Sequence, residues 1–441
     1  MKYTQIITIP TDNGLSIPIL LVKGNISVLS LTYVRELQLI GKSISTINKI
    51  LQSIAYMWDF YFTYEELFNN KTSSYQHSIL KLFAEKRLSG TFDKDGLDNT
   101  LLFWKPIKLN TVKVDITNIS EYTLFLKNNF NAINLNPLET KFKNDMEFII
   151  KKEIENKFSF FNHIKKKEKS IKVKSFSRND NFGKHTKTEY KAFPKDKIND
   201  LIKISNLREK LIYLLLAYGG CRSSEILHIY LNDVSYNENN GMANITLSNP
   251  VEGHIEWVKN GLNKTGTRRQ YLFEKFNLIP RNLINGKLFS GWKSMTEDDG
   301  YKHISFVYWS NPDIGKLFYK LHLEYMKLRL TTGDNHPYYF ISLSKNEYGN
   351  PLTLNALQDK FKQNVKKIEL NTKQSGVNIH GLRHFYGYYC ANILQVSKEM
   401  TQRMLHHRSI SSTEVYYKKT LEVLEEELDK GYTKMKELKN V

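Results

Sequence analysis

The first 26 residues contain short apolar runs that polar residues and prolines interrupt. Pro10, Asp12, Asn13 and Pro18 break up MKYTQIITIPTDNGLSIPILLVKG before any run reaches the length of a signal-peptide core or a membrane span. Two short apolar stretches around a polar turn are typical of a β-hairpin. We therefore expect residues 1–26 to form a hairpin-like N-terminal extension, and we expect no membrane association.

From Val28 onwards the apolar spacing becomes helical. The segment LTYVRELQLIGKSISTINKILQSIAYMWDFYF predicts one helix that stops at Gly41 and a second that starts at the Ser and Thr residues after it. The apolar positions that recur at helical spacing in the second helix are Ile47, Ile50, Leu51, Ile54 and Trp58. This spacing is typical of a helix face that packs into a core.

Two further segments of this half carry weaker patterns. In TVKVDITNISEYTLFLKN, the alternation of Val112, Val114 and Ile116 favours a strand, whereas the residues after them have helical spacing, so its beginning stays open. From Lys165 to Phe193 the chain is basic and polar with little periodicity, as expected of a solvated linker. These patterns divide the chain into an extension (1–26), a helical domain (27–160), a basic linker (161–192) and a second domain (193–441).

The second domain begins with an apolar helical stripe. Its members are Leu207, Leu211, Leu214, Leu215 and Tyr218. The stripe stops at Gly219 and Gly220, and Arg222 then leads into a new helix through SSE. Farther on, GMANITLSNP and NKTGTRRQYLF look like strands, and Lys264 precedes a predicted Thr-Gly turn. The expected fold class is therefore mainly α with a small β-sheet.

Composition narrows the class of protein. The 441 residues carry a formal charge of +19, from 64 Lys and Arg against 45 Asp and Glu, which suits nucleic acid but also a merely soluble basic protein. Only two cysteines occur, Cys221 and Cys390, without CxxC spacing. We therefore expect no disulfide framework, no zinc site and a reducing, cytoplasmic environment.

The segment HGLRHFYGYYCANIL is the strongest single motif. At about 100° per residue, Leu382, Tyr386, Tyr389 and Ile393 fall on one side of a helix. His380, Arg383 and His384 fall on another side. We expect the first side to pack and the second to carry chemistry.

The segment LHHRSISSTEVYYKK follows. Tyr416 lies nine positions after His407, and Ser411 with Glu414 fits a capping box that would start a short helix carrying Tyr416. An arginine pair can hold a phosphate, histidines can move its protons, and a tyrosine hydroxyl can attack phosphorus. The sequence thus predicts a phosphodiester-cutting site that needs neither metal nor other cofactor.

These motifs resemble the tyrosine recombinases, the phage-integrase family, whose signature is Arg, Lys, His-x-x-Arg, a second His or Trp, and a Tyr nine residues later. By resemblance, the catalytic residues would be Arg222, Lys264, His380, Arg383, His407 and Tyr416. Glu225 and His384 would support them, and Lys264 would protonate the departing 5′ hydroxyl. His406 replaces the glycine that the family usually has before the second histidine, so the local backbone is expected to differ.

The resemblance also implies an architecture and partners. A helical core-site DNA-binding domain over 27–160 would join a mixed α/β catalytic domain over 193–441, and the linker would either span solvent or contact the DNA backbone. The partners would be double-stranded DNA recombination sites and further copies of the chain, four of them on DNA, and the resemblance allows accessory DNA-bending proteins. Tyr416 would form a 3′-phosphotyrosine and release a 5′ hydroxyl, as in a site-specific integrase of a mobile element.

Two alternatives remain open at this point. A type IB topoisomerase or a telomere resolvase would use the same chemistry, and a DNA-binding regulator would have lost catalysis.

The C-terminal residues add an expectation about assembly. Leu421, Leu424, Leu428, Tyr432, Met435 and Leu438 form a helical stripe next to several acidic residues. This helix would pack on its own domain or, by resemblance, dock on a neighbouring copy.

Overall fold

The protein is described here by a computed structural model. The structure describes residues 3–10, 16–65, 76–136, 138–142, 170–174, 191–284, 286–293, 295–417, 428–429, 432 and 435. The chain divides into two compact units, residues 1–185 and 186–441. Helices predominate in both units and the sheets are small, which confirms the predicted fold class.

The N-terminal extension forms the predicted hairpin. Strands β1 (Thr4–Pro10) and β2 (Ser16–Val22) pair antiparallel, and the short β3 (Asn25–Ile26) adds to β2. The hairpin is tied to the helices by Asp59, whose carboxylate accepts hydrogen bonds from the Tyr3 amide at 2.8 Å and the Thr4 hydroxyl at 3.0 Å. The extension is therefore part of the first unit's core.

The helices of the first unit are α1 (Val28–Leu39), α2 (Ile44–Thr63), α3 (Gln76–Ser89) and α4 (Leu109–Phe130). Ser27 and Ser43 cap α1 and α2 as their positions predict. The open segment at Val112 is helical, because Val112, Ile116 and Ile119 lie on one side of α4 and are buried together. A buried ion pair between Arg87 and Asp115, 3.1 Å apart, joins α3 to α4.

One part of the predicted linker has regular structure. Strand β5 (Ser170–Lys174) pairs antiparallel with β4 (Leu138–Phe142), where irregular chain was expected. The sequence SIKVK alternates apolar and basic residues, which is the period of a strand. Apart from β5 and residues 191–192, the predicted linker lies outside the described residues.

The second unit is built around a buried helix, α6. Its helices are α5 (Ile198–Lys203), α6 (Leu207–Ala217), α7 (Ser223–Ile226), α8 (Arg268–Phe276), α9 (Pro312–Arg329), α10 (Leu354–Lys367), α11 (Ile379–Tyr388), α12 (Lys398–Met404) and α13 (Ser411–Glu414). Residues 211–217 of α6 are fully buried, and α9, α10 and α11 contribute to the same core. This core holds α7 and α11 in fixed positions.

A three-stranded sheet with the order β10-β7-β6 lies in this unit. It consists of β6 (Val234–Tyr236), β7 (Ala243–Ser248) and β10 (Ile304–Phe306), all antiparallel. Residues 249–303 lie between the neighbouring strands β7 and β10, and they include a separate hairpin of β8 (His254–Lys259) and β9 (Leu262–Thr267). Residues 249–303 are therefore a long excursion between two strands that pair directly.

The turn of this hairpin differs from the prediction. Asn260 and Gly261 form it with φ values of 54° and 77°, whereas Thr265 and Gly266 lie within β9. Asn-Gly is the sequence that tolerates positive φ at both central positions of a two-residue hairpin turn. The predicted Thr-Gly turn is therefore wrong, and Lys264 lies in a strand opposite Trp257.

The C-terminal docking helix falls almost entirely outside the described residues. Of its predicted apolar stripe, Leu428, Tyr432 and Met435 are described as helical and exposed.

Within the described part of the chain, no helix combines the length and apolar character that crossing a membrane requires.

Candidate active site

Arg222 caps the start of α7, two residues after Gly220. Its backbone amide donates to a Glu225 carboxylate oxygen at 2.7 Å, and its guanidinium pairs with the other oxygen of the same carboxylate. Glu225 is completely buried. Burial alone would raise the pKa of Glu225, but the charges of Arg222 and Arg383 outweigh it and hold that pKa below its ordinary value. The carboxylate therefore stays ionised and orients both arginines.

Arg383 projects from α11 into the protein. Its guanidinium donates to the carbonyls of Gly220 and Leu405 and lies 3.7 Å from Glu225. The side chain is almost fully buried, so the face of α11 that was expected to react is also a packed face. Because Gly220 precedes Arg222 and Leu405 precedes the histidines 406 and 407, Arg383 holds both segments against α11.

Tyr416 lies beside the same helix. Its hydroxyl is 3.0 Å from Nδ1 of His384, and its backbone carbonyl accepts a hydrogen bond from the Asn392 side chain at 3.0 Å. The tyrosine ring packs on Gly387, where any side chain would approach it closely. Burial raises the pKa of the Tyr416 hydroxyl, while Arg383 and Arg222 act in the opposite direction. The hydroxyl is thus protonated at neutral pH and needs a proton acceptor to become a nucleophile.

His407 approaches Tyr416 from another segment. Its ring is stacked parallel to the tyrosine ring with centroids 6.3 Å apart, and its Nδ1 lies 2.9 Å from the Thr413 hydroxyl. The Thr296 hydroxyl donates to the His407 carbonyl at 3.1 Å. The nine-residue spacing therefore places the second histidine and the tyrosine side by side.

The three histidines have depressed pKa values. Burial, followed by the positive charges around the site, lowers the pKa of His384 to about 4 and that of His407 to about 3. The pKa of His380 is also lowered to about 4, by desolvation and then by His384, although its side chain reaches solvent. All three are neutral at pH 7, so each can accept a proton or donate one hydrogen bond.

Lys264 is the predicted residue that the structure does not bring into contact with the others. Its ammonium lies on the hairpin, 2.7 Å from the carboxylate of Glu274 on α8. Lys259 approaches the same carboxylate at 3.9 Å. Among the residues described, no hydrogen bond or ion pair joins Lys264 to the group around Tyr416. Its catalytic role stays a prediction.

Two local predictions around Tyr416 need correction. Helix α13 begins after Ile410, and the Ser411 hydroxyl contacts Ser409 at 2.7 Å, so no capping box forms. The helix starts one residue early because the chain is already helical at Ile410. After α11, residues Tyr389–Ile393 form a π-type turn, which changes the helical spacing and leaves Ile393 exposed.

Tyr417, the neighbour of Tyr416, faces elsewhere. Its hydroxyl is bonded to the Thr401 hydroxyl and the Val396 carbonyl. It therefore packs against α12 and the segment before it.

Sequence reasoning missed the role of His406 and of the segments that support the tyrosine. His406 has a positive φ of 52° and is 1% exposed, and its Nε2 lies 2.9 Å from the Phe306 carbonyl on β10. The available signal was that His406 stands where the family usually has glycine, the residue that adopts a positive φ without strain. The supporting contacts of Asn392 and Thr296 had no signal in the sequence.

Cys221 and Cys390 are both buried and unpaired. In the described ranges, no three His, Cys, Asp or Glu side chains are grouped as metal ligands.

The sequence is similar to that of the tyrosine recombinase XerA of Pyrococcus horikoshii, with 26% identity over 244 residues. The match covers 55% of this chain and 61% of the relative, so it spans less than two thirds of the relative's length. It confirms the resemblance that the motifs predict. No protein-family model matches the chain.

Two solved structures are also similar. A post-cleavage complex of the XerH site-specific recombinase with a palindromic difH substrate has 12% identity and a TM-score of 0.48, over 87% of this chain and 79% of that one. A dimer of lambda integrase residues 75–356 on a COC′ core site has 10% identity and a TM-score of 0.42, over 88% and 94%.

Proposed function

We propose that this protein is a tyrosine site-specific recombinase that cuts and rejoins double-stranded DNA through a covalent phosphotyrosine at Tyr416. The observation that carries the proposal is the 3.0 Å contact between the Tyr416 hydroxyl and His384, next to Arg222, Glu225 and Arg383. A nucleophile, a neutral base and two oriented cations form the minimum for metal-free attack on a phosphodiester.

The attack begins with a proton transfer. His384 is neutral at pH 7, so its Nδ1 accepts the Tyr416 proton as the phenolic oxygen bonds to phosphorus. A positioned base of this kind contributes about 10²–10⁴-fold to a rate. The 5′ oxygen leaves and the 3′ phosphate stays on the tyrosine, which conserves the energy of the phosphodiester for rejoining.

The arginines stabilise the negative charge that develops on the phosphate. Arg222 is partly exposed and held by Glu225, so it presents its remaining N–H groups at the surface. Arg383 uses two donors for the carbonyls of Gly220 and Leu405, and a guanidinium carries five N–H donors in all. Preorganised donors of this type each contribute about 10²–10³-fold. His380 and His407 supply neutral hydrogen-bond donors to the same charge.

The cutting and rejoining of DNA would serve recombination between two DNA sites. The sequence relative is a recombinase, which favours recombination over the topoisomerase and telomere-resolvase alternatives. We propose integration or excision of a mobile element in the cytoplasm by four copies on two DNA sites. The helical unit would also bind the DNA, in keeping with the net charge of +19.

Covalent capture tests the proposal. A duplex enriched by binding from a randomised DNA pool, nicked near its centre, should trap the wild-type protein as a denaturant-resistant adduct, and EDTA should leave the yield unchanged. Tyr416→Phe should form no adduct and still bind the duplex, whereas Tyr417→Phe serves as the matched control and should form it. An adduct with Tyr416→Phe would remove that residue as the nucleophile.

A further inference from the structure

The excursion between β7 and β10, residues 249–303, contains several lysines that are candidates for the catalytic lysine. Two candidates, Lys264 and Lys293, lie in different parts of the excursion. Lys264 lies in strand β9 of the separate hairpin, and Lys293 lies in an irregular stretch closer to β10. Because this long connection joins two paired strands and contains several lysines, strand character alone does not identify which lysine reaches the phosphate.

The stretch around Lys293 is anchored at its beginning to the helix that Arg222 starts. The Ser290 hydroxyl donates to the Ser224 carbonyl in α7 at 3.2 Å. His228, just after α7, contacts the Ser290 carbonyl through Nε2 at 3.0 Å and meets the Trp292 ring edge-on with centroids 5.4 Å apart. Residues 290–292 are therefore fixed beside the first arginine.

The same stretch is anchored at its end to the His407 segment. Thr296 donates through its hydroxyl to the His407 carbonyl at 3.1 Å and through its amide to the His406 carbonyl at 3.4 Å. Arg408 approaches the Met295 carbonyl at 3.5 Å. Lys293 thus lies on a short bridge between the Arg222 helix and the histidine that stacks on Tyr416.

The positive charge of Lys293 acts on His407 of this site. Together with Arg383 and Arg222, it lowers the pKa of His407, after the larger effect of burial. The Lys293 side chain is exposed, and no carboxylate of the described residues lies within ion-pair distance of it. The ammonium of Lys264, in contrast, forms an ion pair with the Glu274 carboxylate at 2.7 Å.

We propose that Lys293, in place of Lys264, is the catalytic lysine that contacts the scissile phosphate and protonates the leaving 5′ oxygen. The inference rests on the proposed function. As the bond between phosphorus and the Tyr416 oxygen forms, the bond from phosphorus to the 5′ oxygen breaks, and that oxygen takes a proton from the Lys293 ammonium. The tyrosine proton passes to His384, and rejoining reverses both transfers.

A sulfur substitution at the leaving atom tests this role. In a nicked duplex from the enriched sequence, Lys293→Ala should slow adduct formation by about 10²–10⁴-fold, the range of general acid catalysis. When sulfur replaces the bridging 5′ oxygen, the thiolate leaves without a proton, so Lys293→Ala should recover to within about tenfold of wild type. Lys264→Ala, the matched control, should cleave both substrates at nearly the wild-type rate.

The outcomes separate the inference from the proposed function. If the wild-type protein forms an adduct and Lys293→Ala cleaves at an unchanged rate, the assignment of Lys293 is wrong and the proposed function stands. The same conclusion follows if sulfur rescues only Lys264→Ala. If Lys293→Ala is slow on both substrates, Lys293 is not the proton donor. If the wild-type protein forms no adduct on any enriched duplex, the proposed function fails and the inference fails with it. Thermal melting and duplex binding of each variant show that the fold is intact.

Discussion

Gly387 and Tyr416 pack so closely that a Cβ atom built on Gly387 would lie 2.7 Å from two carbon atoms of the tyrosine ring. Gly387 lies one helical turn after Arg383 on α11. The absence of a side chain there lets the ring rest on the helix and reach His384. The position of the proposed nucleophile therefore depends on a glycine that has no chemical role.

Gly387→Ala should separate helix stability from cleavage. Alanine favours a helix over glycine by about 1 kcal/mol, but the new methyl group must displace the Tyr416 ring. We expect little net change in melting temperature and at least about a tenfold loss of adduct formation, since small misplacements of reacting groups are costly. Gly300→Ala is the control, because its nearest neighbour would be 4.0 Å away. Wild-type cleavage by Gly387→Ala would show that the ring can move freely.

Arg222→Lys should keep the positive charge and lose the two-pronged hold on the phosphate. Its ion pair with Glu225 would also weaken, because a lysine cannot match the planar carboxylate. We expect cleavage to fall by about 10²-fold in single-turnover measurements, with Arg269→Lys at an exposed position unchanged. Arg383→Lys should reduce cleavage by a similar factor. It should also lower the melting temperature, because the hydrogen bonds from Arg383 to the Gly220 and Leu405 carbonyls are lost. Near-normal cleavage by Arg222→Lys would exclude it from the site.

The pH dependence of cleavage should report on His384. Because its pKa is lowered from the ordinary 6.5 to about 4, the neutral form that accepts the tyrosine proton persists well below pH 6.5. Cleavage should therefore hold between pH 7 and 5 and decline as the pH falls through about 4. Circular dichroism at each pH separates this decline from unfolding. His384→Asn, whose amide oxygen replaces Nδ1 as an acceptor without basicity, should be slow at every pH. An acid limb centred near 6.5 would contradict the assignment.

His406→Gly tests which effect dominates at a strained, buried position. Glycine would relieve a left-handed backbone conformation that costs a side-chain residue about 1–2 kcal/mol. It would also leave the Phe306 carbonyl without its partner and remove a buried ring, which together cost more. We expect a net loss of about 2 kcal/mol in urea unfolding, and His406→Gln should recover part of it by reaching the carbonyl. A variant with glycine more stable than wild type would show that strain dominates.

Local patterns in the sequence determined most of the elements. The hairpin at 1–26, the break between α1 and α2, and the helix that carries His380, Arg383 and His384 all follow from turn residues, caps and apolar period. These signals act over a few residues, so they can be read without the rest of the chain. The pairing of His407 with Tyr416 came instead from the nine-residue spacing in the family signature that the chain resembles, and their rings are stacked.

Tertiary structure decided the contacts between distant segments. Strand alternation at Val112 gave way to a helix because Val112 and Ile116 are buried in one cluster, and the turn beyond Lys264 moved to Asn260 and Gly261. Whether Lys264 or Lys293 lies near the histidines depends on hydrogen bonds between segments more than a hundred residues apart, such as that from Thr296 to His407. Sequence spacing carries no information on such pairings, because they arise only when the core fixes which loops meet.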